Sequence, residues 1–131
     1  MCFLLRLLAV ASVTFLTAPL VAQSVNQCES DIPRPDDDAQ IRGATSFIEA
    51  GDIHGHSSTY PTVIANFLYS RANAYRRQRD YVRARADFDR AIALNPQHRM
   101  AHLCRADVHD RLGNAARAAA DRAEAARLRG Q

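Results

Sequence analysis

The sequence predicts an all-α fold, a short α-solenoid of antiparallel helix hairpins with about five helices after an N-terminal signal peptide. Three observations carry this. First, the chain meets itself when displaced by 34 residues: Arg71, Ala72, Arg77, Arg83, Ala84, Ala86, Asp87, Ala91, Leu94 and Gln97 recur as Arg105, Ala106, Arg111, Arg117, Ala118, Ala120, Asp121, Ala125, Leu128 and Gln131. That interval is the period of a helix–turn–helix array. Second, each unit holds two helical patterns separated by a polar break, Arg79–Asp80 in the first and Gly113–Asn114 in the second. Third, Ala and Leu supply much of the apolar content and Trp is absent. A core of that kind calls for closely packed helices rather than a thick mixed sheet.

Residues 1–22, MCFLLRLLAVASVTFLTAPLVA, place one early Arg before an apolar run from Leu7 to Thr17, followed by Pro19 and small residues. This is the layout of a secretory signal peptide, with cleavage after Ala22. The alternative is a retained membrane anchor, but the apolar stretch falls short of the roughly 20 residues a spanning helix needs. No Cys follows the small residues directly, which argues against a lipid-anchored form. The expectation is an exported protein, periplasmic or secreted, with no membrane span in the mature chain.

Residues 23–35 contain Pro33 and Pro35, are polar and lack periodicity, and are expected to form a flexible arm, disordered or ordered on contact. Cys2 leaves with the leader, so Cys28 in this arm and Cys104 in a helix remain. An exported chain can oxidise them, and the sequence leaves open whether they pair.

The packed domain is expected to span residues 36–131. Asp36, Asp37 and Asp38 open a first helix over 36–50, since acids are favourable at a helix N-terminus. Ile41, Ala44, Thr45 and Ile48 share one face, and Gly51 is expected to close it. Residues 52–58 form a loop. Ser58 or Thr59 is placed to cap a second helix over 60–78, with Pro61 in its first turn. Ile64, Phe67, Leu68, Ala72 and Tyr75 recur there at helical steps. Helices over 81–94, 98–112 and 115–129 follow. At Arg79 a left-handed turn residue without glycine would cost about 1 kcal/mol. The last helix, AARAAADRAEAARLR, has almost no large apolar residue and suits a terminal cap with a polar outer face.

Residues 65–98 resemble a tetratricopeptide repeat. Leu68, Ala72, Tyr75, Ala84, Phe88, Ala91 and Pro96 supply in order the large, small, aromatic, Ala, aromatic, Ala and Pro positions of that pattern. Residues 99–131 resemble a degenerate second unit. It keeps Ala106, Ala118 and Ala125 but has His102, His109, Arg122 and Gly130 in place of the bulky residues and the Pro. The helix over 36–50 is similar to the second helix of a further, incomplete unit, with Ile41, Ala44 and Ile48 aligned to Arg85, Phe88 and Ile92. Small exported bacterial proteins of this family open with Ile-x-x-Cys-Thr-x-x-Ile. Ala44 stands here where that Cys would be, which removes the partner the resemblance would give Cys28.

The resemblance implies a binding scaffold. Its first helices would line a concave groove through Asn66, Tyr69, Asn73, Arg76 and Arg77, then Met100, Leu103, Asp107, Asp110 and Arg111. Asn73 matches an Asn that some members use to hold a peptide backbone. Tyr69 replaces the Lys of the carboxylate clamp, so the ligand is not expected to be a chaperone tail.

Charge is uneven. Residues 24–64 hold seven acids against two Arg, a balance of −5, and residues 65–131 hold fourteen Arg against seven acids, or +7. All basic residues are Arg. Such polarity attracts acidic partners, anionic surfaces or nucleic acid, unless the two halves complement each other. Arg71 with Asp87, and Arg105 with Asp121, lie symmetrically about their turns, a spacing that faces them across an antiparallel hairpin. It predicts two structural Arg–carboxylate pairs, bidentate if the rotamers allow; the alternative is an Arg reading a ligand phosphate.

Zinc needs three or four convergent ligands. His54 and His56 sit in a loop, and Cys104 points away from His102 around its helix. No metal or other cofactor is expected. No phosphate-cradling Gly loop or strained nucleophile turn is visible, so no enzyme is expected. The leading reading is a non-catalytic module that binds an unidentified protein or peptide in the periplasm or cell envelope. A second makes the chain a self-associating assembly component through its Ala-rich last helix, because about three units is the usual lower limit for a free-standing array. A third, an Arg-rich nucleic-acid or anionic-surface binder, needs a cytoplasmic location, so no nucleic acid is expected.

Overall fold

Alanine at regular intervals removes the side-chain bulk that would keep neighbouring helices apart, and the helices stack accordingly. The computed structural model describes Cys28 and residues 31–130. In chain order the helices are α1 (Asp37–Ile53), α2 (His56–Thr59), α3 (Pro61–Arg77), α4 (Tyr81–Leu94), α5 (Arg99–Arg111) and α6 (Ala115–Arg129). No strand occurs among the described residues. The fold is an all-α solenoid in which α3 pairs with α4 and α5 with α6, while α1 packs on α3 and α4 on α5. The signal-peptide reading of residues 1–22 lies outside the described residues.

Two differences from the expected elements lie at the end of α1. Gly51 does not close that helix, which runs on to Ile53 with Gly51 buried inside it. Termination falls to Gly55, whose φ of 68° takes the left-handed conformation that glycine adopts at least cost. The loop after it then winds into the single turn α2. There the Ser58 hydroxyl donates to the Gly55 carbonyl at 2.7 Å instead of capping the next helix. α3 begins at Pro61, after an N-cap Tyr60 that makes no side-chain cap, and the missing N–H of that proline costs no hydrogen bond.

The two hairpin turns share one geometry. Asp80 N–H reaches the Tyr75 carbonyl and Arg79 N–H the Arg76 carbonyl, both at 2.9 Å; Asn114 N–H to His109 at 2.7 Å and Gly113 N–H to Asp110 at 3.0 Å repeat the pattern. These are paired C-terminal bonds around a left-handed residue. The second turn uses Gly113 at φ 76°, and the first forces Arg79 to φ 62°. Asp80 then caps α4 by accepting from the Arg83 N–H at 3.0 Å.

The core has two parts. Ala44, Ile48, Ile64, Ala65, Leu68 and Ala91 fill the space between α1, α3 and α4. Ala72, Tyr75, Ala84, Phe88, Ala101, Cys104 and Val108 fill that between α3, α4 and α5. α6 buries only Ala118, Asp121 and Ala125, and its outward side chains are small or charged.

Cys28 is joined to Cys104 by a disulfide across 76 residues of sequence, with Cα atoms 5.2 Å apart. That answers the question the sequence left open. Cys104 of α5 lies beside Tyr69 of α3, and Asp31 of the arm reaches Arg76 of α3 and Arg111 of α5.

Candidate functional site

The wall is built by α3 and α5, the first helices of the two hairpins. Tyr69, Asn73 and Arg76 come from α3, and Cys104, Asp107 and Arg111 from α5. The three α3 side chains are spaced at helical steps of four and three, so one face presents them all. The Tyr69 ring lies 4.7 Å from that of His98 and 6.0 Å from that of Phe88, which fixes its plane. Asn73 donates to the Tyr69 carbonyl at 3.1 Å and accepts from Arg76 Nε at 3.3 Å. Arg76 also donates to Asp107 at 3.3 Å.

Onto this wall the arm lowers a carboxylate. Asp31 bonds Arg76 of α3 and, at 2.6 Å, Arg111 of α5. Asp31 thus joins two hairpins through one acid group. Asn73 and Arg76 are 0% and 2% exposed, and Arg76 is bonded to Asp31 of the arm. The groove residues that the resemblance assigns to a ligand are in contact with the chain itself.

The other assigned positions scatter. Arg77 is not on an open wall. It is fully buried beneath α1, where Asp37 accepts from its Nε at 2.8 Å and from its Nη2 at 2.5 Å, and Gln40 Oε1 accepts at 2.8 Å. Burial works to raise the Asp37 carboxyl. The bonds from Arg77 and the Arg34 N–H, with the charges of both arginines, outweigh it and hold the group below the usual carboxylate range. Asp110 turns to Arg122 of α6. Asn66 is exposed towards the start of α3, and Met100 and Leu103 are half-buried.

The two recurring pairs lie inside their hairpins. Arg71 donates through Nε and Nη2 to Asp87 at 2.7 and 2.8 Å, and Arg105 does the same to Asp121 at 2.8 and 2.6 Å. Each guanidinium spends its third nitrogen on the preceding layer. Arg71 Nη1 reaches Thr45 of α1 and Arg105 Nη1 reaches Asp89 of α4, both at 2.8 Å. Each Arg therefore brackets three helices. Asp121 is also 3.3 Å from His102 Nδ1, and His102 Nε2 is 3.0 Å from the Pro96 carbonyl.

Among the described residues, no three His, Cys, Asp or Glu gather as metal ligands. No described helix is long and apolar enough to cross a membrane.

Stacked hairpins with a 34-residue repeat and small residues at their contacts have a counterpart among known families. Residues 65–98 match the family model of the tetratricopeptide repeat. Residues 65–98 are a tetratricopeptide repeat. The matched span covers α3 from Ala65 onward, α4 and the approach to α5, so Tyr69, Asn73 and Arg76 belong to the matched repeat. Neither a characterised protein nor a solved structure matches the chain. Tetratricopeptide repeats generally mediate protein–protein contacts and are typically non-catalytic, which supports a binding module here.

Sequence reasoning did not single out Asp31 or Asp37. The signal for Asp37 was present in the acidic run that opens α1, but its buried partner lies 40 residues away. For Asp31 the only cue was its place three residues after Cys28.

Proposed function

We propose that this protein is a non-catalytic module that binds a protein or peptide along the α3–α5 wall, and that it works in the periplasm or cell envelope. One observation carries the binding half: the tetratricopeptide repeat presents Tyr69, Asn73 and Arg76 on the same wall as Asp107 and Arg111. An aromatic, an amide and two guanidiniums on one surface suit an extended chain with acidic side chains. Residues 1–22 support export, and so does the Cys28–Cys104 bond, because disulfides persist in oxidising compartments.

Site-directed photo-cross-linking in cells tests the binding half. A photoreactive residue at Asn66, on the open end of the wall, should give a discrete adduct, and one at Ala119, on the outer side of α6, should give none. Equal yields at both positions, or none at either, would defeat the reading. Sequencing the mature N-terminus from an envelope fraction tests the other half; a chain beginning at Met1 would contradict export.

A second reading, self-association, draws on a different surface from the last helix. Phe47, Ile53, Tyr60 and Val63 are exposed together at the α1–α3 end, beside a hollow of about 290 Å³ lined by Phe47, Ala50, Gly51, Tyr60, Val63 and Ile64. If copies pair there, light scattering during size exclusion should show a dimer that Val63→Asp converts to monomer. A monomer at every concentration removes this reading.

A further inference from the structure

The described segment of the arm has the chemistry of a ligand. We propose that it is the resident occupant of the groove, and that reductive opening of the Cys28–Cys104 bond exchanges it for an acidic, extended segment of another protein. The inference rests on the groove-binding reading above and goes further in naming the ligand class and what controls access.

Three observations carry it. Asp31 places its carboxylate between Arg76 and Arg111, the two cations on the wall that belong to different hairpins. Asp107 of α5 lies 3.3 Å from Arg76 and 3.9 Å from Arg111, so a carboxylate is a natural partner for both guanidiniums. The arm is also held covalently at one point close to that carboxylate. Held by the chain at α1 and by the disulfide at Cys28, the arm competes at a higher effective concentration than it would on the chain alone, so a free acidic peptide displaces it less readily while the bond stands.

The two cysteines of the bond differ in burial. Cys104 is fully buried, whereas Cys28 is half-buried at the surface of the arm. A dithiol reductant attacks through one thiolate at Cys28 Sγ. The S–S bond breaks, and Cys104 leaves as a thiolate that takes up a proton. The reductant's second thiol, as its thiolate, then displaces Cys28 as a thiolate, which is protonated in turn. Two electrons pass to the protein, which gains two thiols, and the reductant becomes a disulfide. The arm is then a tethered peptide with no covalent hold on the wall, and Arg76 and Arg111 can exchange Asp31 for another carboxylate.

The probe is a fluorescein-labelled peptide of residues 28–36 carrying Cys28→Ser, and the protein is the full mature chain. Fluorescence anisotropy should show at least about tenfold tighter binding to the chain reduced with excess dithiothreitol, or carrying Cys28→Ser, than to the oxidised chain. Asp31→Asn in the peptide should weaken that binding about tenfold. This control leaves the protein's fold untouched, and Arg111→Gln in the protein should match it. Equal binding to oxidised and reduced chains would overturn the latch but leave the groove reading standing. Absence of binding to either form would overturn the arm as a ligand, with the groove reading still judged by the cross-links from Asn66. Loss of helical circular dichroism on reduction would make the bond a structural one and overturn the proposal as well.

Discussion

At Asp87 one carboxylate holds both bonds that Arg71 sends across the first hairpin. The Arg71 side chain is 14% exposed, so a guanidinium left without that partner has little water to turn to. Removing one member of a buried pair costs several kcal/mol, because the other charge stays desolvated. Asp87→Asn should therefore destabilise the fold by roughly 3 kcal/mol in thermal or urea denaturation; an unchanged midpoint would refute the bracket. The sequence offers the Arg71–Asp87 relation through their symmetric placement about the turn. It does not offer Thr45, which belongs to another helix and no constant spacing.

His109 gives a pH dependence at the same scale. Burial, opposed by the charge of Asp121 and helped by those of Arg105 and Arg117, pushes its pKa down. Burial likewise lowers His98. An imidazole depressed in the folded state binds its proton more readily when unfolded, so its contribution is complete above about pH 6.5 and declines on acidification below that. Stability measured from pH 7.5 to 5 should fall, and His109→Gln should reduce the slope.

Elements end where tertiary contacts permit. The sequence points to Gly51 as the stop, but α1 packs against α3 with Gly51 buried inside it and runs on to Ile53. The arginine at the first hairpin turn was legible as a site of strain, because Gly113 marks the equivalent place in the second. With φ at 62°, Arg79 bears a steric cost that glycine avoids. Arg79→Gly should stabilise the protein by up to about 1 kcal/mol, set against the larger entropy glycine loses on folding. A lowered melting temperature would mean that the Arg79 side chain makes a compensating contact.

Over the whole molecule, the acidic N-terminal part and the basic C-terminal part meet each other. Asp31 engages Arg76 and Arg111, Asp37 engages Arg77, and Asp52 engages Arg90. The charge imbalance was plain from composition. Its internal resolution was not, since pairs 38 or more residues apart carry no local pattern. The deepest of these, Asp37–Arg77, ties α1 to α3. Asp37→Ala alone should cost 3–5 kcal/mol, whereas the double change Asp37→Leu with Arg77→Met should lose far less, because no orphaned charge remains. Denaturant titration of the single and double variants checks the difference. The depressed Asp37 carboxyl also makes this link acid-labile. Its contribution holds above the ordinary carboxylate pKa near 4 and is lost as pH falls through the lower folded value.

Because Arg105 draws on Asp89, which lies 16 residues upstream in the preceding unit, the 34-residue unit from Ala65 to His98 is complementary to its own successor. Concatenated copies would find a polar latch already in place at each junction, with Asp89 of one meeting Arg71 of the next. α6 would not extend the series in the same way: Ala123 occupies the corresponding place and offers an incoming guanidinium no oxygen. A designer wishing to lengthen this protein should splice new units ahead of α5 rather than append them to α6.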